Sequence, residues 1–241
     1  MKRVKHILLC IIGLIGAATA SAQNFNDKLM NRPYADLRRW HLGFSVGLHT
    51  EDLRFTHNGF VTDEGETWFM EQPSFSPGFC VNGLFDLRLN DYFSLRFTPG
   101  MYFGNREITM VNTSDPETPR LKQNIKSAFV VLPVDLKFNA LRYRNSRPYL
   151  LAGVMPAFDV AKKRSDFLKL KSSDIYLEVG FGCDLYLPYF KFVPEIKFCF
   201  GLADIIQHDR PDLTDDPGTL KITQSLRRAT SQMVVLTFYF E

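Results

Sequence analysis

The chain has 241 residues, with 29 lysines and arginines against 26 aspartates and glutamates and a formal charge of +3. Three of those cations, Lys2, Arg3 and Lys5, precede an apolar run over residues 7–18 and the small-x-small triplet Ala20-Ser21-Ala22, the layout of a cleaved secretory signal. Without residues 1–22 the charges balance at 26 of each sign, so the composition excludes a basic surface built for nucleic acid.

The apolar run falls short of the roughly 20 residues that a spanning helix needs, and no longer one follows. Any membrane role must therefore come from strands or a surface. The expected organisation is a signal peptide over residues 1–22, a periplasmic N-terminal segment over 23–40 and one domain over 41–241. Cys10 lies inside the apolar run and is expected to be discarded with it. The remaining Cys80, Cys183 and Cys199 are odd in number and lack CxxC spacing, which argues against a disulfide framework and a zinc site.

Period-two alternation begins at Leu42, Phe44, Val46 and Leu48, set against Gly43, Ser45, Gly47 and His49. A second strand carries Phe75, Phe79, Val81, Phe85 and Leu87 on one face and Cys80, Asn82, Asp86 and Arg88 on the other, ending at the Asn90-Asp91 turn. The third strand sets Phe93, Leu95, Phe97, Met101 and Phe103 against Ser94, Arg96, Thr98 and Tyr102. The fourth sets Val130, Leu132, Val134, Leu136 and Phe138 against Asp135 and Lys137. A less regular fifth strand covers 149–158. The sixth places Ile175, Leu177, Val179, Phe181 and Cys183 opposite Glu178 and Asp184. The seventh places Phe192, Ile196, Phe198 and Phe200 opposite Lys191, Glu195 and Lys197, and the eighth puts Val234, Leu236, Phe238 and Phe240 on one face. About eight long strands with one uninterrupted apolar face predict an all-β fold, a closed antiparallel transmembrane barrel of up-and-down topology.

Connection lengths predict its orientation. Short links at Asn90-Asp91, 141–147 and Pro188-Tyr189 alternate with long ones near 50–74, 105–124, 159–173 and 203–228. That is the pattern of three periplasmic turns and four extracellular loops in the outer membrane of a Gram-negative cell. The in-strand charges Asp86, Arg88, Arg96, Asp135, Lys137, Glu178, Asp184, Lys191, Glu195 and Lys197 all fall opposite the large apolar side chains, which predicts a polar network inside the lumen. A barrel of about eight strands is just wide enough for side chains to fill, so the network is expected to plug rather than conduct. Tyr92, Phe93, Tyr149, Tyr189, Phe190 and Tyr239 are expected to form an aromatic girdle at the short-turn end.

Three segments carry a resemblance: SPGFCVNGLFDLRLNDYFSLRFTPGMYFGNRE over 76–107, LPVDLKFNALRYRNSRPYLLAGV over 132–154, and DIYLEVGFGCDLYLPYFKFVPEIKFCFGLADI over 174–205. With the terminal Phe240-Glu241 strand, they resemble the PorT family of outer-membrane barrels, associated with the type IX secretion system. The resemblance implies an accessory role in moving cargo across the outer membrane, through contacts with other secretion-system proteins. It supplies no catalytic residues.

No enzymatic motif stands out. His49 and His57 lie near Glu51, Asp52, Asp63 and Glu64 at the first long link, and His208 lies near Asp204 and Asp209, without HExxH or GxSxG spacing. No catalytic site, metal, cofactor, small-molecule substrate or nucleic acid is expected. Lys162, Lys163, Arg164, Lys169 and Lys171 make the third long link basic, a candidate contact for lipopolysaccharide or an acidic partner. Residues 23–40 are either a disordered leader or a segment that touches a partner or caps the lumen. The rival to a secretion role is a structural or adhesive barrel that binds envelope or host ligands through its loops.

Overall fold

The computed structural model describes residues 30–57, 68–71, 77–112, 121–161, 171–206 and 226–241. It contains β1 (Trp40–His57), β2 (Trp68–Glu71), β3 (Pro77–Arg88), β4 (Phe93–Phe97), β5 (Gly100–Asn112), β6 (Leu121–Val131), β7 (Val134–Asn139), β8 (Ser146–Asp159), β9 (Ser173–Tyr186), β10 (Lys191–Gly201) and β11 (Leu226–Phe240). Among the described residues a 3-10 turn, Ala35–Leu37, precedes them. Among those residues no helix is long and apolar enough to cross a membrane.

The strands close into one antiparallel ring. β1 pairs with both β3 and β11, and β11 continues through β10 and β9 to β8. β8 pairs with β7 and β6, which meet β4 and β5, and those return to β3. β4 with β5, and β6 with β7, each form one wall strand, and β2 and β3 both pair along β5 and count as one, so the wall has the eight strands that alternation predicts. Each interruption falls at a proline. Pro99 and Pro133 have no N–H to give the ladder, but their carbonyls accept from Gly83 and Thr98 at 2.8 and 3.2 Å, and Leu132 donates to Pro156 at 3.0 Å. Hydrogen bonding thus continues around the wall past both breaks. Closure is compulsory in hydrocarbon, where an open edge would leave backbone groups unpaired.

Side chains alternate strictly. Leu42, Phe44, Val46, Leu48, Phe79, Val81, Leu95, Leu136, Leu150, Phe181 and Leu236 are exposed, while Ser45, His49, Asn82, Asp86, Arg96 and Asp135 are buried. The outer surface is an apolar belt that only lipid satisfies. Phe44 stacks on Phe240 with centroids 5.3 Å apart and Phe192 on Phe238 at 5.8 Å, lining the outer face of the β10–β11–β1 junction.

The wall stands taller than the apolar pattern suggests. The link predicted over 50–74 contains the end of β1 and all of β2, and the one over 105–124 contains the end of β5 and the start of β6. The β1–β11 ladder runs on from Thr50↔Val234 to Arg54↔Thr230. Here polarity inverts: Asp52 and Arg54 face out, while Leu53 and Ala229 are buried. Above the hydrocarbon the outer face meets water, so an outward apolar signal ends at Leu48 although the strand continues.

Candidate functional site

The lumen is filled, and its centre is Arg96. Register places Arg96 of β4 directly between Asp86 of β3 and Asp135 of β7. Its side chain is fully buried. Nε donates to Asp86 Oδ2 at 3.2 Å and Nη1 to Glu195 Oε2 at 2.7 Å. The hydroxyls of Tyr149 and Tyr239 donate to the two Glu195 oxygens at 2.5 and 2.9 Å. The guanidinium carbon lies 5.2 and 4.9 Å from the centroids of those two rings, within cation–π range. Five wall strands therefore converge on one cation.

Two further layers flank it. Lys137 Nζ contacts both oxygens of Asp184, at 2.9 and 3.1 Å, and lies 3.9 Å from the Tyr149 ring centroid. Lys191 pairs with Asp184 at 3.7 Å and with Glu241. On the other side Lys197 pairs with Glu178 at 3.5 Å and Asp135 at 3.8 Å, and Cys199 Sγ lies 3.3 Å from Glu178 Oε1. Beyond this layer the lumen turns apolar, packed with Tyr102, Phe129, Val131, Met155, Tyr176, Met233 and Val235. Two glycines make room for the network: a Cβ at Gly153 would overlap the Asp135 carboxylate, and one at Gly182 would overlap the Tyr149 hydroxyl.

Arg88 stands apart from the other nine lumenal charges. It lies at the rim, half-buried, donating to Asp91 and to the Asp36 carbonyl, the latter at 2.6 Å. Tyr149 and Tyr239 are corrections to the predicted girdle. Both are buried inside, because their positions on β8 and β11 share the phase of the inward charges. Tyr92, Phe93, Tyr189 and Phe190 are exposed as a girdle requires. Cys80 and Cys199 are buried and Cys183 is half-buried; all three are free thiols.

The loop clusters do not converge. His49 and Glu51 face the lumen, with His49 beside the Tyr102 ring at 5.1 Å and Glu51 bonded to Ser231 at 3.1 Å, whereas Asp52 points out on the opposite phase. Asp204 accepts from the Ile206 and Ala229 amides at 3.2 and 3.1 Å. Lys171 donates to the Asp204 carbonyl at 2.9 Å. Lys162, Lys163, Arg164, Lys169, Asp63, Glu64, His208 and Asp209, and the His57 side chain, lie outside the described residues, as does the whole of the signal-like segment. Among the described residues no cluster of three or more His, Cys, Asp or Glu is arranged to hold a metal ion.

Residues 30–39 cross the short-turn end as a cap pinned at Asp36. Its carboxylate accepts from Tyr186, from Arg142 at 3.2 Å and from Arg147 at 3.4 Å, so β8, β9 and the turn between β7 and β8 are tied to one group. Arg142 also donates to the carbonyls of Asn31 and Arg32 and stacks 3.5 Å from the Tyr186 ring centroid. Asn31 bonds Asn145 at 2.8 Å and the Tyr186 carbonyl at 3.0 Å. Beneath the cap remains a hollow of about 30 Å³ lined by Asp36, His41, Asp86, Lys137, Asp184 and Lys191, room for water and nothing larger.

A closed strand ring with a lipid-facing apolar belt and a plugged polar lumen defines a small integral barrel of the outer membrane. A family profile described as "Outer membrane protein beta-barrel domain" matches residues 21–207, and the chain belongs to that family. No curated protein sequence matches it. Among solved structures it is similar to Neisserial surface protein A at 12% identity, covering 84% of this chain and 98% of that one with a TM-score of 0.41. It is also similar to OprG of Pseudomonas aeruginosa, at 12% identity, 83% and 91% coverage and a TM-score of 0.38. The N-terminal barrel domain of OprF from the same species matches at 12% identity, 81% and 96% coverage and a TM-score of 0.36.

Two predictions follow from the pairing. Arg96→Met leaves Asp86 and Glu195 buried without their cation and should cost about 3–5 kcal/mol, against at most about 1 kcal/mol for rim Arg88→Ala. Urea unfolding from lipid vesicles measures both, and equal effects would show that the lumenal pairs do not hold the wall. For the cap, burial works to raise the Asp36 carboxyl, but the hydrogen bonds from Tyr186 and Arg142 and the charges of Arg147 and Arg142 outweigh it and hold the group below the usual carboxylate value. A lowered carboxyl adds stability above its unfolded value, near 4, and loses it as pH falls through the folded value. Amide exchange over residues 30–39, corrected for intrinsic rates, should therefore stay slow from pH 7 down to about 4 and quicken below it. Asp36→Asn should be roughly tenfold faster at pH 7 and should not quicken further below about pH 4.

Proposed function

We propose that this outer-membrane barrel has a non-enzymatic role in type IX protein secretion, supporting the assembly or operation of the translocon through contacts with other proteins. The observation that carries this reading is the filled lumen. A solute would have to displace the Arg96–Glu195–Tyr149–Tyr239 network, the apolar packing above it and the Asp36 cap below. A barrel without an open path acts at its two ends and along its lipid-facing wall, and the resemblance of segments 76–107, 132–154 and 174–205 to the PorT family supplies the process. Partners are then other secretion-system proteins of the outer membrane or periplasm. The third long link of the sequence, with Lys162, Lys163, Arg164, Lys169 and Lys171, is on this reading a basic contact for lipopolysaccharide or an acidic partner.

A clean deletion should abolish export of type IX cargo while leaving resistance to detergents and large antibiotics at the wild-type level. The full-length chain supplied in trans should restore export. Normal export in the deletion strain contradicts the proposal, and loss of surface adhesion in its place would favour the structural or adhesive reading.

A further inference from the structure

The cap and the turn beside it make the short-turn end strongly basic. Arg88, Arg142 and Arg147 are engaged with Asp36, Asp91 and nearby carbonyls. Arg38 and Arg39 are exposed and form no ion pair among the described residues, and exposed Arg144 lies 5.4 Å from the Tyr143 ring centroid. The acids described at this end are already committed, Asp36 inside the cap, Asp91 to Arg88 and Glu241 to Lys191. Beside the cations stand large apolar side chains that fill nothing: Tyr34 is 75% exposed, Leu37 66% and Tyr143 70%.

We infer that this face docks an acidic segment of a periplasmic protein, with apolar side chains of that segment seated on Tyr34, Leu37 and Tyr143 and its carboxylates on Arg38 and Arg39. Placement favours protein over lipid. Arg88 of β3, Arg147 of β8, Tyr186 of β9 and Arg142 of the intervening turn all reach Asp36, so the cap spans the barrel mouth. Ala35 is buried while Tyr34 and Leu37 beside it are exposed, and all three belong to this cap segment rather than to a lipid-facing wall strand. Tyrosine and arginine dominate the energetics of protein interfaces, and a surface already held rigid binds with little ordering cost. The exposed charges of Arg38 and Arg39, without an ion pair among the described residues, select an acidic occupant. The inference rests on the reading that this barrel works by protein contact.

The test uses the full chain in living cells, with a photo-crosslinking residue at Tyr34 or Tyr143 and, as a control on the opposite end, at Asp52. Mass spectrometry of the adducts from the first two positions should locate the crosslink in an Asp/Glu-rich segment of a periplasmic protein. Combined Arg38→Glu and Arg39→Glu should lower that yield at least about tenfold, leaving the heat-modifiable folded band and any Asp52 adducts unchanged. Adducts to lipid, adducts to segments without acidic excess, yields indifferent to charge reversal, or no adducts at all would overturn the inference. Cargo export measured in the same strains keeps the two proposals apart. Charge-sensitive acidic adducts together with normal export in the deletion strain would remove the secretion role and leave the docking surface standing. The opposite pattern would do the reverse.

Discussion

Arg96 and its carboxylates are the interaction on which the rest of the barrel depends. A buried guanidinium needs acceptors for its N–H groups, and Asp86 and Glu195 supply them to Nε and Nη1 from two other strands. Tyr149 and Tyr239 then bond both oxygens of Glu195 and lay their rings against the cation. Such a cluster adds less stability than its number of contacts suggests, because desolvation offsets the attraction. Its larger effect is on register. A one-residue slip of β4 would turn Arg96 into hydrocarbon and leave Asp86 and Glu195 buried and unpaired, so the charges select one alignment of the wall.

The other elements follow from a lumen filled with large side chains. Glycines at 153 and 182 leave space where a carboxylate and a phenol must stand. The apolar layer of Tyr102, Met155, Tyr176 and Met233 fills the end away from the short turns, and the Asp36 cap closes the other. The chain terminus takes part as well: Phe240 stays on the lipid face while the Glu241 carboxylate turns in to Lys191. Among the described residues both ends and the middle of the lumen are thus occupied.

Much of the wall was legible because lipid imposes a hard filter on one face. Phe79, Val81, Phe85 and the residues between them could be sorted by phase alone, and the inward charges sorted with them. The misreadings have the same origin. Tyr149 and Tyr239 look like girdle residues by type and by nearness to the short turns, but phase puts them inside, where each hydroxyl finds Glu195. The signal that could have placed them was the alternation itself, set above residue type. His49, Glu51 and Asp52 look like one loop cluster in linear order, yet a continuing strand divides them between two faces. Asp36 left no trace in any periodicity: its partners Arg142, Arg147 and Tyr186 lie more than a hundred residues away, and only the folded turns bring them together.

The central claim is that the lumen is closed by its own side chains. Single-channel recording of the purified chain in planar lipid bilayers tests it most directly, with insertion verified independently by protease protection. The account predicts inserted protein with no stable open level across the ordinary range of voltage. A sustained open level of porin size would contradict it.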